Sequence, residues 1–511
     1  SVDGLVLSLP GLSKCVGLDD KGVEESADAL DWGSKDHVPG LQKAQTAQPK
    51  GQAEREQVWQ DLIRLTQPQA WALFAEQDGH LLKQSSARLH TQWYEIGGGE
   101  LCLDESLSGW RVWQALSQRP PFIAAAQAGR QVCVIGAGLA GAGVARALAQ
   151  RGWQVKVIDK AFTQREEGAH HGHLSAALTP MITVDDSHKA RLSRAGTLRA
   201  HARWRSLGDQ QGFNPCGTLE LNRDKGHAKD ILEAVEAMQF PTEWVRLVDA
   251  QQASELAGMP LNQHGAFFAY GLQVFPGRLI PQLLDHPLIE CLAREVGQIQ
   301  REEQASGYLL YDQHEQVIAS AAQVVCATSY MTLDLLKRSG LDRKTLKSGQ
   351  VVQAITRLES LHPMGGEVMQ VDAQVLSGGP RCVVAGQGYL LPAAEGYCMM
   401  GGTYQHNQIN PPVSAAGQEA ILRKIPLDLD LDLERLRQSG QVKGWSGTRA
   451  VTQGRMPVIG PLEHAPGIFL ACAYASHGLT WSSLAGDLIG AYLEGEPIPL
   501  ERELWQSICP R

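Results

Sequence analysis

QVCVIGAGLAGAGVARALAQRGWQVKVIDK, residues 131–160, decides the fold. Its first apolar run, Val132 to Ile135, reads as a buried strand, and the alanine-rich stretch behind the glycines reads as a helix. A second apolar run then ends on Asp159. Gly136, Gly138 and Gly141 stand in G-x-G-x-x-G spacing directly between strand and helix. Each glycine has a task there: a tight turn, close approach of backbone to a pyrophosphate, and close packing of helix on strand. The helix start offers free N–H groups and the positive end of its dipole to phosphates. A carboxylate 18 residues past Gly141 suits a ribose hydroxyl. A dinucleotide site is therefore expected at Gly136, Ala137, Gly138, Gly141, Asp159 and Lys160.

Beyond Lys160 the regular strand–helix alternation of a nicotinamide-binding domain stops. The chain enters REEGAHHGHLSAALTPM (165–181), a long polar segment, and a strand-then-helix unit returns only at 467–494. A cofactor held by both ends of the chain favours FAD over NAD. Between lie short strand candidates: GTLELNR (217–223), HGAFFAYGLQVF (264–275), SGYLLYD (306–312), QVIASAAQVVCAT (316–328), VVQAITRL (351–358), RCVVAGQGYLLPA (381–393) and YCMMGGTY (397–404). The expected fold class is α/β, a Rossmann-like FAD-binding domain interleaved with a β-rich substrate domain. The FAD-binding parts are placed at about 130–212, 320–345 and 444–511, the substrate-binding parts at about 213–319 and 346–443, together spanning 126–511.

Residues 1–125 have a different texture and read as a short N-terminal region with a linker. Residues 34–56 are polar, as in a connector. VWQDLIRLTQPQAWALFAEQ (58–77) offers Trp59, Leu62, Ile63 and Leu65 on a helical face broken by Pro68, and SARLHTQWYEIGGGELCLDES (86–106) reads as strands around a glycine turn.

The whole chain of 511 residues carries a net charge of −9, which at first speaks against a nucleic-acid partner. Residues 1–125 hold 11 Lys and Arg against 17 Asp and Glu, whereas 126–511 hold 35 against 38. A nearly neutral module can still present a local basic face. No run of 18 apolar residues is present, so no spanning helix is expected, and no signal peptide is visible. The 10 cysteines form no CxxC and have no zinc-ligand spacing; reduced thiols and a cytoplasmic protein are the natural reading.

Several segments together resemble the D-amino-acid-oxidase/glycine-oxidase superfamily of flavoenzymes, and within it the FAD-dependent oxidoreductase module of the MnmC tRNA-modification family. They are GHLSAALTPMIT (172–183), RLSRAGTLRAHARW (191–204), FNPCGTLEL (213–221), GLQVFPGRLI (271–280), GQGYLLPAAEG (386–396), MGGTYQHN (400–407), GWSGTRAVTQGRMPVIGPL (444–462) and SHGLTWSSLAGDLIGAYLEGEPIPLE (476–501). The resemblance implies oxidation of the carboxymethylaminomethyl group on a tRNA wobble uridine, with loss of its carboxymethyl group as glyoxylate. It also implies non-covalent FAD and oxygen as electron acceptor. Two turns depart from the family: its Gly-Asn pair reads Gly172-His173 with Ala176 for the following glycine, and its Ala-Thr-Gly reads Ala327-Thr328-Ser329. The family commonly carries a methyltransferase domain ahead of the oxidase. Residues 1–125 are too few for one, so no methyl transfer is expected.

Amine oxidation by flavin needs a group to hold the substrate carboxylate, and an Arg with a Tyr is the usual equipment. Arg449 is the candidate, against a structural arginine tying down a loop; Tyr389 and Tyr404 are candidates against plain sheet packing. His477, Gly478, Leu479 and Thr480 open a helix whose N–H groups would face the flavin, and His173 and Leu174 lie on the segment that aligns with a cofactor-contacting loop. No metal is expected at His170, His171 and His173, which lack a carboxylate or cysteine at ligand spacing. Lys189, Arg191, Arg194, Arg199, Arg203 and Arg205 read either as a solvated face or as contacts to tRNA phosphates. A free glycine- or sarcosine-type amine oxidase, and a flavin- or RNA-binding protein without catalysis, are the competing readings.

Overall fold

The computed structural model describes residues 130–511 apart from 163–169, 208–211, 223–230, 303–306, 346–347, 349, 428 and 497, together with strands at Val2–Val6, Thr66–Ala75, Thr91–Gly97 and Trp110–Ser117. The chain divides into two compact units, one of residues 1–128 with 150–152 and 490–502, the other holding the rest. In the first unit the four strands form one sheet in the order Val2–Val6, Thr66–Ala75, Trp110–Ser117, Thr91–Gly97. Thr66–Ala75 is thus a strand that runs through Pro68, the residue at which the sequence reads the preceding helical face as broken. Trp59, Leu62, Ile63 and Leu65 lie outside the described residues.

In the second unit the opening motif folds as read. Strand β1 (Gln131–Ile135) leads through the glycine turn into helix α1 (Leu139–Gln150) and strand β2 (Gln154–Ile158). Helix α2 (His188–Trp204) follows after the polar segment. Strand β3 (Gln323–Cys326) and strand β6 (Ile468–Cys472), with helix α3 (Gly478–Glu494) after it, complete the parallel layer. Its six-stranded sheet runs Ile289–Leu292, β2, β1, β3, β6, Val458–Pro461, parallel throughout except for the last strand. A parallel sheet needs cover on both faces, and β1, β3 and β6 are accordingly continuous apolar runs. On one side α1 meets α3 closely: a Cβ on Gly143 would stand 2.5 Å from the Ser482 carbonyl oxygen, and Ser482 Oγ donates to Leu139 O at 2.6 Å.

The second layer is a nine-stranded sheet. Its longest members are β4 (His362–Asp372) and β5 (Val442–Val451), antiparallel along most of their length with Met364 opposite Arg449. Beyond β4 come Tyr397–Gly401, Tyr389–Leu390, Val383–Ala385 and Thr218–Leu221. Strands of the two sheets alternate along the chain, which is the interleaved α/β architecture the sequence suggests. Two segments fall on the other sheet from the one the expected boundaries assign. Ile289–Leu292 joins the parallel sheet, and β5 joins the nine-stranded one. Each follows its hydrogen-bonding partner, β2 and β4 respectively, and those pairings are long-range features no local pattern reveals.

Candidate functional site

The glycine turn is shaped by close backbone approach. Gly136 has φ +106°, and a Cβ there would sit 2.5 Å from the Ala327 carbonyl oxygen. A Cβ on Gly141 would fall 1.8 Å from Gly136 O, so helix and turn touch through bare backbone. Asp159 at the end of β2 accepts from Ala137 N at 2.7 Å and from Ala161 N at 2.8 Å. Its carboxylate therefore braces the glycine loop. Lys160 points elsewhere: it is exposed and pairs with Glu295 at 3.3 Å.

The two departures from the family's glycines have different consequences. Ser329 adopts φ +55°, the conformation for which glycine is the default, so its side chain is carried at a strained position. Ala176 lies in a short extended strand opposite Val274 and needs no glycine.

At the other end of the layer, α3 begins at Gly478. Burial, with Lys189 and Arg455 as neighbouring cations, pushes the His477 imidazole down to about 4. His477 is therefore neutral near pH 7, and positive potential at this point comes from Lys189, Arg455 and the helix end. Leu479 and Thr480 turn inward: Leu479 packs with Leu139 and Ala142, and Gly196 of α2 lies against Thr480 so that a Cβ would meet its carbonyl oxygen at 2.4 Å. Thus His477 and Gly478 are only partly buried, while Leu479 and Thr480 pack the helices.

Arg449 and the two tyrosines come together on the second sheet. The Arg449 guanidinium lies 5.0 Å from the Tyr404 ring centre. Tyr389 packs against Gly401, and burial pushes its phenol up to about 12, with the nearby Arg449 charge opposing that shift. Tyr389 is therefore a protonated hydrogen-bond donor at any physiological pH. Gly366 on β4 makes room for the arginine, since a Cβ there would meet its guanidinium nitrogen.

The 170–174 segment borders the same group. The His173 ring stacks on Trp445 at 4.1 Å, and His170 and His173 share a hydrogen bond between their Nδ1 atoms at 3.1 Å. Burial, His170 and Arg449 all lower the His173 imidazole, which stays neutral. Trp445 Nε1 donates to His171 O at 2.7 Å, so β5 holds the segment in place. Leu174 packs with Val383, Leu391 and Met399 beside Tyr389 and Trp445. No group of metal-ligating side chains occurs among the described residues. Trp445, Glu367 and Gly366 were missed by sequence reasoning. A lone carboxylate in the apolar run around EVM (367–369) is the one local signal that was present.

Half of the basic run on α2, namely Arg194, Arg199 and Arg203, is neither a solvated face nor free for phosphates. Arg199 and Arg203, four residues apart on one helix face, both pair with Asp487 of α3 at 2.6 Å, and all three are buried. Arg194 is buried against Asp186 at 2.7 Å. Asp487 lies 288 positions from Arg199, which is why the sequence reads these arginines as free.

The signature of the family described as FAD dependent oxidoreductase (DAO) matches residues 131–492. The chain belongs to this family. Its members' cofactor fits the residues present, because the glycine turn leaves bare backbone at the start of a 12-residue helix. Among curated proteins, the FAD-dependent oxidoreductase is 34% identical over 388 residues to the "tRNA 5-methylaminomethyl-2-thiouridine biosynthesis bifunctional protein MnmC" of Thiobacillus denitrificans, covering 75% of this chain and 59% of that protein. It is 31% identical to the protein of the same name from Ralstonia nicotianae, over 78% of this chain and 62% of that one. The chain thus spans about three fifths of the length of these relatives. Among solved structures, the glycine oxidases of Geobacillus kaustophilus and Bacillus cereus share the fold. The TM-scores are 0.54 and 0.56 at 19% and 18% identity, over 72% and 75% of this chain and 95% and 99% of theirs. Among the described residues no helix is long and apolar enough to cross a membrane.

Proposed function

We propose that this FAD-dependent oxidoreductase acts on the carboxymethylaminomethyl group of a tRNA wobble uridine, leaving aminomethyl-uridine and glyoxylate. The observation that carries the reading is the placement of Arg449 against Tyr404 and near enough to Tyr389 for its charge to act on the phenol, in a chain whose relatives carry names of tRNA thiouridine biosynthesis. Arg449 holds the carboxylate of the appended glycine with its planar fork of donors. Tyr389, protonated and half-buried, adds a neutral donor. The neutral His173–Trp445 stack lines the approach without adding a charge that would compete for the carboxylate. FAD, when bound, supplies the two-electron acceptor for the glycine Cα–H bond. The glycine turn and α1 would hold its pyrophosphate, and the N–H groups at the α3 start near His477 would face its ring with the positive end of the helix dipole. Water then splits the resulting C=N bond into glyoxylate and the primary amine.

Anaerobic addition of tRNA bearing the carboxymethylaminomethyl group tests the reading. Bleaching of the visible flavin band, in stoichiometry with the tRNA added, is the expected result. A flavin that stays oxidised with this tRNA, yet is reduced by free glycine or sarcosine, sinks it in favour of a small-amine oxidase.

A further inference from the structure

The segment GGTYQHNQINPPVS (401–414) is firmly tied at its base and carries an exposed aromatic and apolar edge. Tyr404 is 50% exposed, Ile409 52% and Val413 40%. Beneath them Glu367, fully buried on β4, accepts from Ser414 N at 2.7 Å and from Gln405 Nε2 at 3.0 Å. Thr403 closes the other side, donating from N to Glu367 O at 3.0 Å and accepting from Glu367 N at 2.9 Å. Farther out, Asn410 and Thr448 are joined by two hydrogen bonds of 2.8 Å. Exposed apolar side chains on a segment anchored this way form a preset surface.

The charges set directly against the Tyr404 ring are both positive. Lys424 Nζ lies 5.9 Å from the Tyr404 ring centre, donates to Gly402 O at 3.0 Å, and joins Arg449 in flanking the ring. The segment itself contains no Asp or Glu, and Glu367 is enclosed below it. A half-exposed aromatic ring with cations beside it matches the two halves of a single-stranded nucleotide: a base that stacks and a phosphate that pairs. An acidic peptide would use the cations but would leave the exposed half of the tyrosine ring uncovered.

We infer that the Tyr404–Lys424 surface receives single-stranded RNA, a base stacking on the exposed part of Tyr404 while Lys424 faces a backbone phosphate. This rests on the tRNA reading given above. Arg449 is common to both tasks, since it lies against Tyr404 and is the candidate carboxylate ligand. Base recognition and carboxylate recognition are therefore adjacent, and Tyr404 belongs to substrate positioning rather than to the reacting centre.

Equilibrium binding of a labelled RNA hairpin with a single-stranded loop to the FAD-loaded protein tests the surface. Stacking contributes ~1–3 kcal/mol by alanine substitution, so Tyr404→Ala weakens binding by roughly 5- to 150-fold. Tyr404→Trp restores it to within a few-fold. Lys424→Gln flattens the dependence of log affinity on log salt by about 0.7, the loss of one single-strand phosphate contact. Hairpin affinity for Tyr404→Ala within about twofold of wild type, in a wild type that does convert tRNA, overturns the surface and leaves the tRNA reading standing. A wild-type protein that neither binds the hairpin nor converts tRNA overturns both.

Discussion

Gly136 has two independent reasons to lack a Cβ: its φ of +106° and the Ala327 carbonyl oxygen 2.5 Å from where the atom would sit. Gly136→Ala therefore costs about 2 kcal/mol or more and displaces the turn proposed to meet the cofactor. Reduced flavin per protein and a lowered melting temperature are expected; full loading with unchanged melting would contradict it. Ser329 poses the reverse case. At φ +55° a glycine relieves ~1–2 kcal/mol of strain and gives back ~0.4–1 kcal/mol as entropy of the unfolded chain. Ser329→Gly should raise thermal stability slightly, and a clear drop would show that the side chain does something there that the backbone does not reveal. Arg449→Gln removes charge-assisted bonds of ~1.5–3 kcal/mol, so kcat/KM falls roughly 10- to 150-fold while flavin content is retained. Unchanged kcat/KM would return Arg449 to a structural role.

Helix α2 shows what a local pattern leaves out. Its run of basic residues is plain in the sequence, but the partner that decides their fate is a single aspartate far along the chain. Two arginines four apart share one helix face, and Asp487 neutralises both inside the core. Asp487→Ala leaves two buried guanidinium groups without their carboxylate and should destabilise by ~3–5 kcal/mol, read as a shift of the denaturation midpoint. A change below about 1 kcal/mol would mean that solvent reaches the site. Strand β4 was hidden for a related reason. Pro363, Gly365 and Gly366 break the alternation by which strands are recognised. Gly366 is there because Arg449 fills the place of its side chain, and that contact exists only after β5 pairs with β4. Strand β1, the glycine turn and α1 were legible because their meaning is local: apolar run, turn and helix follow each other within twenty residues.

Considered as a molecule, the chain interleaves two sheets, so its parts depend on one another across long sequence distances. Burial in this body holds His201 and His286 neutral, each pushed down to about 4 from an ordinary 6.5. Above pH 6.5 the imidazoles are neutral folded or unfolded, and their burial costs nothing in pH-linked stability. As pH falls from 6.5 toward 4 the unfolded chain takes up these protons first, so stability declines across that window. A urea midpoint lower at pH 5 than at about pH 7.5 is expected, with His201→Gln and His286→Gln together reducing the difference. A midpoint independent of pH would mean that these imidazoles protonate in place.

The proposed oxidation site and the proposed base platform adjoin each other, since Arg449, the candidate carboxylate ligand, lies against Tyr404. Nucleoside analysis of tRNA incubated with the purified, FAD-loaded protein tests the proposed oxidation most directly. Carboxymethylaminomethyl-uridine should disappear as aminomethyl-uridine and an equal amount of glyoxylate appear. Unchanged tRNA, with glyoxylate formed from free glycine alone, would contradict it.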